Sequence, residues 1–249
     1  MAKLKKKSVE RRAIKSKALQ KESQNALKKF MSREGKLLLI VLMSIVLSFI
    51  FYSRMPVTMV SHWSETGQPN GYMSAFWGSF SIPLLMIFMF LIFYAIPRID
   101  PMKHNIEKFI DYYLSFFAIM LLFVFYLQVL MLAWNMGYRF NMIVMMVPAF
   151  FILIFYIGVL LSKAEQNMSI GIRTAWTIKD EEVWNKTHKQ AAILVKVASV
   201  ISLFGIIFVK QAIWFILVPL LAAFLYSVIY SYVIYRRKEL ESNNIIKKH

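Results

Sequence analysis

The sequence predicts an all-α fold, a polytopic membrane helix bundle with about six transmembrane helices. Three observations lead there. Hydrophobic residues make up 59% of the chain and charged residues only 17%, against about 45–50% and about 25% in soluble proteins. The apolar residues fall in six continuous runs, several near the ~20 residues that cross about 30 Å of hydrocarbon. The runs are unbroken, whereas barrel strands alternate over about ten residues. A soluble enzyme, a disordered chain and a collagen-like chain are thereby excluded. Cysteine is absent, which removes disulfides, thiolate metal sites, Cys nucleophiles and lipidation on Cys.

The runs are Leu37 to Tyr52, Phe76 to Ile96, Tyr112 to Trp134, Met142 to Leu161, Ala191 to Val209 and Ala212 to Tyr235. Each is expected to be a helix, because a helix satisfies its own backbone hydrogen bonds in lipid. The first follows a long basic leader and has no small-residue cleavage site after it. It reads as a signal anchor. The chain is expected to divide into a basic juxtamembrane segment 1–36, a four-span domain 37–161, a second membrane part 162–235 and a tail 236–249.

Orientation follows from the basic residues. Segments 1–36, 97–111, 162–190 and 236–249 hold 26 of the 30 Lys and Arg. The alternate side holds three, Arg54, Arg139 and Lys210. Both termini are therefore expected in the cytoplasm of a multi-pass cell-membrane protein. The leader is rich in Lys, Arg, Ala, Gln and Glu, all tolerable helix formers. It reads either as a helix lying on anionic lipid, at about 1 kcal/mol per basic residue, or as a topology signal alone. It has no recognised base-reading pattern, so direct nucleic-acid binding is not expected.

The spans carry little that transport requires. Lys196 is their one ionisable residue, five positions into the fifth run, and reads as a snorkelling side chain. Gln128 reads as a helix–helix hydrogen bonder. Pro83, Pro148 and Pro219 are candidate kinks.

The outer segment 53–75 contains HWSETGQPNGYM. Gly67 and Gly71 are expected to supply positive φ, Pro69 a turn, and Asn70-Gly71 a turn dipeptide. Trp63, Tyr72 and Trp77 suit the interface. The segment reads as a structured loop on the outer surface. Its candidate recognition residues are His62, Trp63, Glu65, Asn70 and Tyr72. Zinc needs three or four ligands, and this face offers only His62 and Glu65. Acid–base chemistry needs a second carboxylate or equivalent partner, and Glu65 is the only acid there. No metal, cofactor or catalytic role is expected.

The inner segment 163–190 reads KAEQNMSIGIRTAWTIKDEEVWNKTHKQ. Thr177 with Asp180 resembles a capping box, and the acids at 180–182 suit a first helical turn. A short helix from about Ile178 into the fifth span is expected. Arg173 reads as a partner for helix C-terminal carbonyls or as part of a docking surface. The candidate docking residues are Asn167, Gly171, Arg173, Thr174, Trp176, Trp184 and His188. A nuclease or hydrolase site using Asp180, Glu181, Glu182 and His188, with His188 and Glu181 at its centre, is possible on inventory, but an ordinary charged helix start explains the same residues with less.

Two motifs resemble known patterns. PVTMVSHWSETGQPNGY is similar to the motif of a bacterial and archaeal membrane domain of unknown function. There a Pro precedes a His-Trp pair, followed by Gly-x-Pro-Asp/Asn-Gly-Tyr. NMSIGIRTAWTIKDEEVWNKTHKQA resembles the signature of the SdpI family. Its Asn, Ile-Gly-Ile-Arg-Thr core, Trp, acidic pair, second Trp and Thr-His fall on Asn167, Gly171, Ile172, Arg173, Thr174, Trp176, Glu181, Glu182, Trp184, Thr187 and His188. The usual Pro after the Thr is Ala175 here. The resemblance covers roughly residues 37–235. It implies a non-enzymatic immunity protein that gives resistance to a secreted, membrane-active toxic peptide. It also implies signalling, by holding an ArsR-type autorepressor at the membrane. Besides membrane lipids, the expected partners are therefore that peptide and that repressor. The alternative is a small-solute or lipid-handling permease.

Overall fold

The computed structural model describes residues 33–246. The basic segment, read above as a juxtamembrane helix or a topology signal alone, lies outside the described residues as far as residue 32, as does the end of the tail at 247–249. Contacts divide the chain into two units, residues 1–39 and 40–249. The described part of the first is the start of a helix. The second holds all else.

Among the described residues, six helices are long and apolar enough to span a membrane. They are α1 (Arg33–Tyr52), α2 (Ala75–Ile99), α4 (Ile110–Asn135), α5 (Met142–Leu161), α7 (Glu181–Ser202) and α8 (Ala212–Ile246). Two short helices, α3 (Lys103–Lys108) and α6 (Ala175–Lys179), lie in connections. Two 3₁₀ turns join α7 to α8. Pro83, Pro148 and Pro219 all sit inside continuous helices.

The expected outer loop is a β-hairpin, β1 (Thr58–Trp63) and β2 (Pro69–Ser74). Its antiparallel register pairs Thr58 with Ser74 and Val60 with Tyr72, then shifts around His62 and Trp63. Gly67 adopts φ 82° as expected. Gly71 does not adopt positive φ. It is glycine for another reason: a Cβ there would lie 2.7 Å from the Cβ of His62 across the hairpin.

The helix expected from Ile178 is two helices. A capping box does form, but between Thr174 and Thr177, enclosing α6. Asp180 instead caps α7, accepting from the backbone N–H groups of Glu182 and Val183. Thus α7 begins ten residues before the apolar run at Ala191. Lys196 is then about 22 Å from the helix start at 1.5 Å per residue, not the ~8 Å that the run's edge implied. Its ammonium lies over the Phe155 ring at 6.0 Å.

The centre of the second unit is α5 against α7 and α7 against α8. Val147, Ile154, Val195, Ala212, Ile216 and Ala223 form one buried cluster there. Gly158 makes this approach possible: a Cβ would meet the Ala192 carbonyl at 2.9 Å, as small residues allow between membrane helices. Elsewhere Gln128 is buried and fully engaged. Its Nε2 donates to the Ser44 carbonyl at 3.0 Å and to Ser48 Oγ at 2.8 Å, and its Oε1 accepts from Ser44. Ser48 donates onward to the Ser79 carbonyl. This ties α1, α2 and α4 together.

α8 has 35 residues, about 52 Å at 1.5 Å per residue. That exceeds the ~30 Å hydrocarbon thickness, so α8 continues well past its span toward the 162–180 connection.

Candidate functional site

The ends of the second unit carry different structures. One holds the hairpin, the other the folded 162–180 connection.

The hairpin is fastened to α4 by one side chain. Val60 N–H donates to Asn135 Oδ1 at 2.8 Å, and Asn135 Nδ2 donates back to the Val60 carbonyl at 2.9 Å. The amide takes the place of a third strand. Met59 is fully buried and seated against Gly78 of α2, where no side chain fits. Trp63 packs edge-on to Trp134, centroids 5.7 Å apart. Among the described residues, its buried indole N–H has no acceptor, a condition that costs about 1–3 kcal/mol.

Under the hairpin lies a cavity of about 460 Å³. His62, Trp63, Glu65 and Asn70 line its upper part. His62 Nδ1 donates to Asn70 Oδ1, holding the two strands' side chains together. Met131, Met142, Met146 and Phe150 line its lower part. Four of the five outer candidates therefore meet at one cavity. Tyr72 is exposed on the hairpin and outside the lining. The lower wall comes from α4 and α5, and spacing within the hairpin motif carried no signal for it. Nor did it mark Asn135.

At the other end the connection is folded around buried polar groups. Asn167 is buried. Its Nδ2 donates to the carbonyls of Glu165 and Ile170, and its Oδ1 accepts from Ser169 and Ile170 N–H. Trp184 is also fully buried. Its indole donates to the Ala164 carbonyl at 2.8 Å, and its ring stacks on His188 at 3.9 Å. His188 Nδ1 donates to the Trp184 carbonyl at 2.9 Å, and Nε2 accepts the Ile172 N–H at 3.0 Å. With one nitrogen donating and one accepting, the ring is the neutral tautomer. Gly171 lies against it with φ 115°, where a Cβ would come within 2.3 Å of Nε2.

Asn167, Trp184 and His188 thus face inward and shape the connection. They offer no surface to a partner in this arrangement. Thr174 is occupied in capping α6. Trp176 donates to Ser231 and lies edge-on to Tyr232, which fixes α6 to α8. Arg173 is exposed and donates to the Met168 carbonyl, within its own connection and not at a helix C-terminus. His188 and Glu181, the pair considered for hydrolysis, are buried and exposed respectively. Among the described residues, no cluster of His, Cys, Asp or Glu has metal-binding geometry.

Two groups missed in the sequence complete this end. Buried Asp100, after α2, accepts from Met102 N–H at 2.7 Å, Met168 N–H at 3.1 Å and Ser169 Oγ. Lys238 of α8 bridges Asp180 at 2.7 Å and Glu182 at 2.8 Å. Partial burial pushes the Asp180 carboxyl up. The Lys238 ammonium and two backbone N–H groups outweigh it and hold the group below the usual carboxylate value. Neither Asp100 nor Lys238 belongs to a local motif, so only the fold reveals them.

Both ends of the second unit fall in segments that resemble known proteins. Residues 163–231 match the SdpI/YfhL protein family. Residues 39–87, which include the hairpin, match a domain of unknown function, DUF1648. The chain is 28% identical over 201 residues to the immunity protein SdpI of Bacillus subtilis (strain 168), covering 80% of this chain and 94% of that one. No solved structure matches. The segment that matches the SdpI/YfhL family contains α6, α7 and α8 as far as Ser231. With six spanning helices, the chain is a multi-pass membrane protein.

Proposed function

We propose that this chain is a membrane immunity protein that protects its cell from a membrane-active antimicrobial peptide. The observation that carries the reading is the similarity to the immunity protein SdpI over nearly that protein's whole length. The hairpin end lies outside and both termini lie in the cytoplasm, as the distribution of Lys and Arg directs. Protection needs no catalysis. It needs a surface that meets the peptide before the peptide disrupts the bilayer, and the hairpin with its cavity supplies one. The reading is non-enzymatic, and it is supported by His188, which is buried with both ring nitrogens bonded to backbone groups.

The cytoplasmic end holds a transcriptional autorepressor of the ArsR type when the peptide is present. Its exposed elements, Arg173 and the rim around Gly171, form the docking surface, while Asn167, Trp184 and His188 set its shape. Relay across the membrane requires that peptide and repressor favour the same arrangement of the bundle. A permease is less well supported, since the buried amide of Gln128 is already satisfied by Ser44 and Ser48.

The test is survival of a peptide-sensitive host that expresses the chain. Protection that falls with Trp63→Ala supports the outer assignment. Unchanged survival in that variant removes the hairpin from it. Repressor recruitment that persists in Arg173→Ala removes the inner one.

A further inference from the structure

The cavity under the hairpin has a chemistry of its own, which narrows what it accepts. Its lower wall is Met131, Met142, Met146 and Phe150. Methionine side chains are unbranched and polarizable, and adapt to irregular apolar shapes. Its upper wall is polar and comes from the hairpin. Glu65 is the one acidic residue in the lining, and no Lys or Arg lines it. A phosphate or carboxylate entering here meets a like charge and no cation. An uncharged or cationic group meets a carboxylate. At about 460 Å³ the space lies within the range of binding pockets, about 300–1,000 Å³, and admits large apolar side chains. In its wall Trp63 carries an indole N–H without an acceptor.

We propose that this cavity binds the apolar side chains of a neutral or cationic peptide segment, with the methionine wall taking the side chains and Glu65 selecting against anionic flanks. Anionic lipid is disfavoured by the same carboxylate. The proposal rests on the immunity reading only for the identity of the natural peptide. The cavity's preference follows from its own walls.

The experiment uses the full chain in phosphatidylcholine nanodiscs. The probes are short leucine-rich peptides, each with one benzophenone side chain, flanked by lysine, serine or glutamate. Photo-cross-links are mapped by mass spectrometry. The lysine- and serine-flanked probes are expected to label Met131, Met142 and Met146 about tenfold more than the exposed Met43 and Met145. The glutamate-flanked probe should label them about tenfold less, a difference equivalent to about 1.4 kcal/mol. Glu65→Lys should reverse the flank preference. Met146→Trp fills the cavity and should abolish the labelling, and Ile213→Trp serves if that variant does not fold. Excess phosphatidylglycerol should not compete. Even labelling of exposed and cavity methionines, labelling that survives filling, or displacement by phosphatidylglycerol overturns the proposal. A labelled cavity in a chain that protects no cell refutes the immunity reading and leaves the cavity standing. Protection with an unlabelled cavity does the reverse.

Discussion

Asn135 closes both backbone hydrogen bonds of Val60, at 2.8 and 2.9 Å. A two-stranded hairpin is marginal alone. Here a side-chain amide at the end of α4 supplies the missing strand edge. Asn135→Ala leaves the Val60 groups unpaired in a half-buried site, at about 1–3 kcal/mol. Hydrogen exchange at the Val60 amide should speed up markedly while helical content stays unchanged. An unchanged exchange rate means that the hairpin is held by packing alone.

Gly171→Ala should disrupt the opposite end. The position has φ 115°, and the added carbon falls within 2.3 Å of His188 Nε2. Backbone strain of this kind is of order 1–3 kcal/mol, and the His188–Ile172 hydrogen bond should be lost with it. The Trp184 indole is then freed from its stack. A change in tryptophan fluorescence and a lowered melting temperature in detergent are expected, and a wild-type melting curve contradicts the assignment.

Gln128→Leu removes three hydrogen bonds that join α4 to α1. Such bonds average about 0.6 kcal/mol between membrane helices, so a loss of about 1–2 kcal/mol in reversible unfolding is expected. Gln128→Glu should also destabilise, because a buried carboxyl stays protonated and its single O–H replaces the two N–H groups that Ser44 and Ser48 accept from. A neutral effect in both variants shows that the network adds nothing to packing.

Asp180 predicts a pH dependence with a definite sign. Its folded value is held below the ordinary 3.8. The stability it contributes is therefore fully present above the unfolded value. It is lost as pH falls through the folded value. Fraying of α7 at Glu182 and Val183 should appear only in acid. Asp180→Asn keeps the cap, since Asn caps about as well as Asp, but breaks the Lys238 bridge. Asp180→Ala loses both, at about 1 kcal/mol for the cap. Equal fraying at neutral pH and in acid contradicts the linkage.

The six spans were legible because each is a continuous apolar run, and lipid leaves the backbone no alternative to a helix. The hairpin was not. Its strands are short, contain Gly71 and Pro69, and are fastened at Val60 by Asn135, 75 residues away. The true start of α7 was hidden for a related reason. Its first ten residues are polar at Asn185, Lys186 and Lys189, yet bury Val183, Trp184, Thr187 and His188, so hydropathy alone stops at Ala191. The inner motif was legible as a pattern. Its residues turn out to be divided between a buried frame and an exposed rim, which spacing does not reveal. Asp100 and Lys238 reach it from α2 and α8 and leave no local trace.

The central claim is protection of the membrane, and membrane potential tests it most directly. A sensitive host expressing the chain, with insertion verified, is challenged with a membrane-active peptide of the killing type while a potential-sensitive dye is followed. The account predicts that the potential holds in cells with the wild-type chain and collapses in those with Trp63→Ala. Collapse in both, from a correctly inserted protein, across a panel of such peptides, contradicts it.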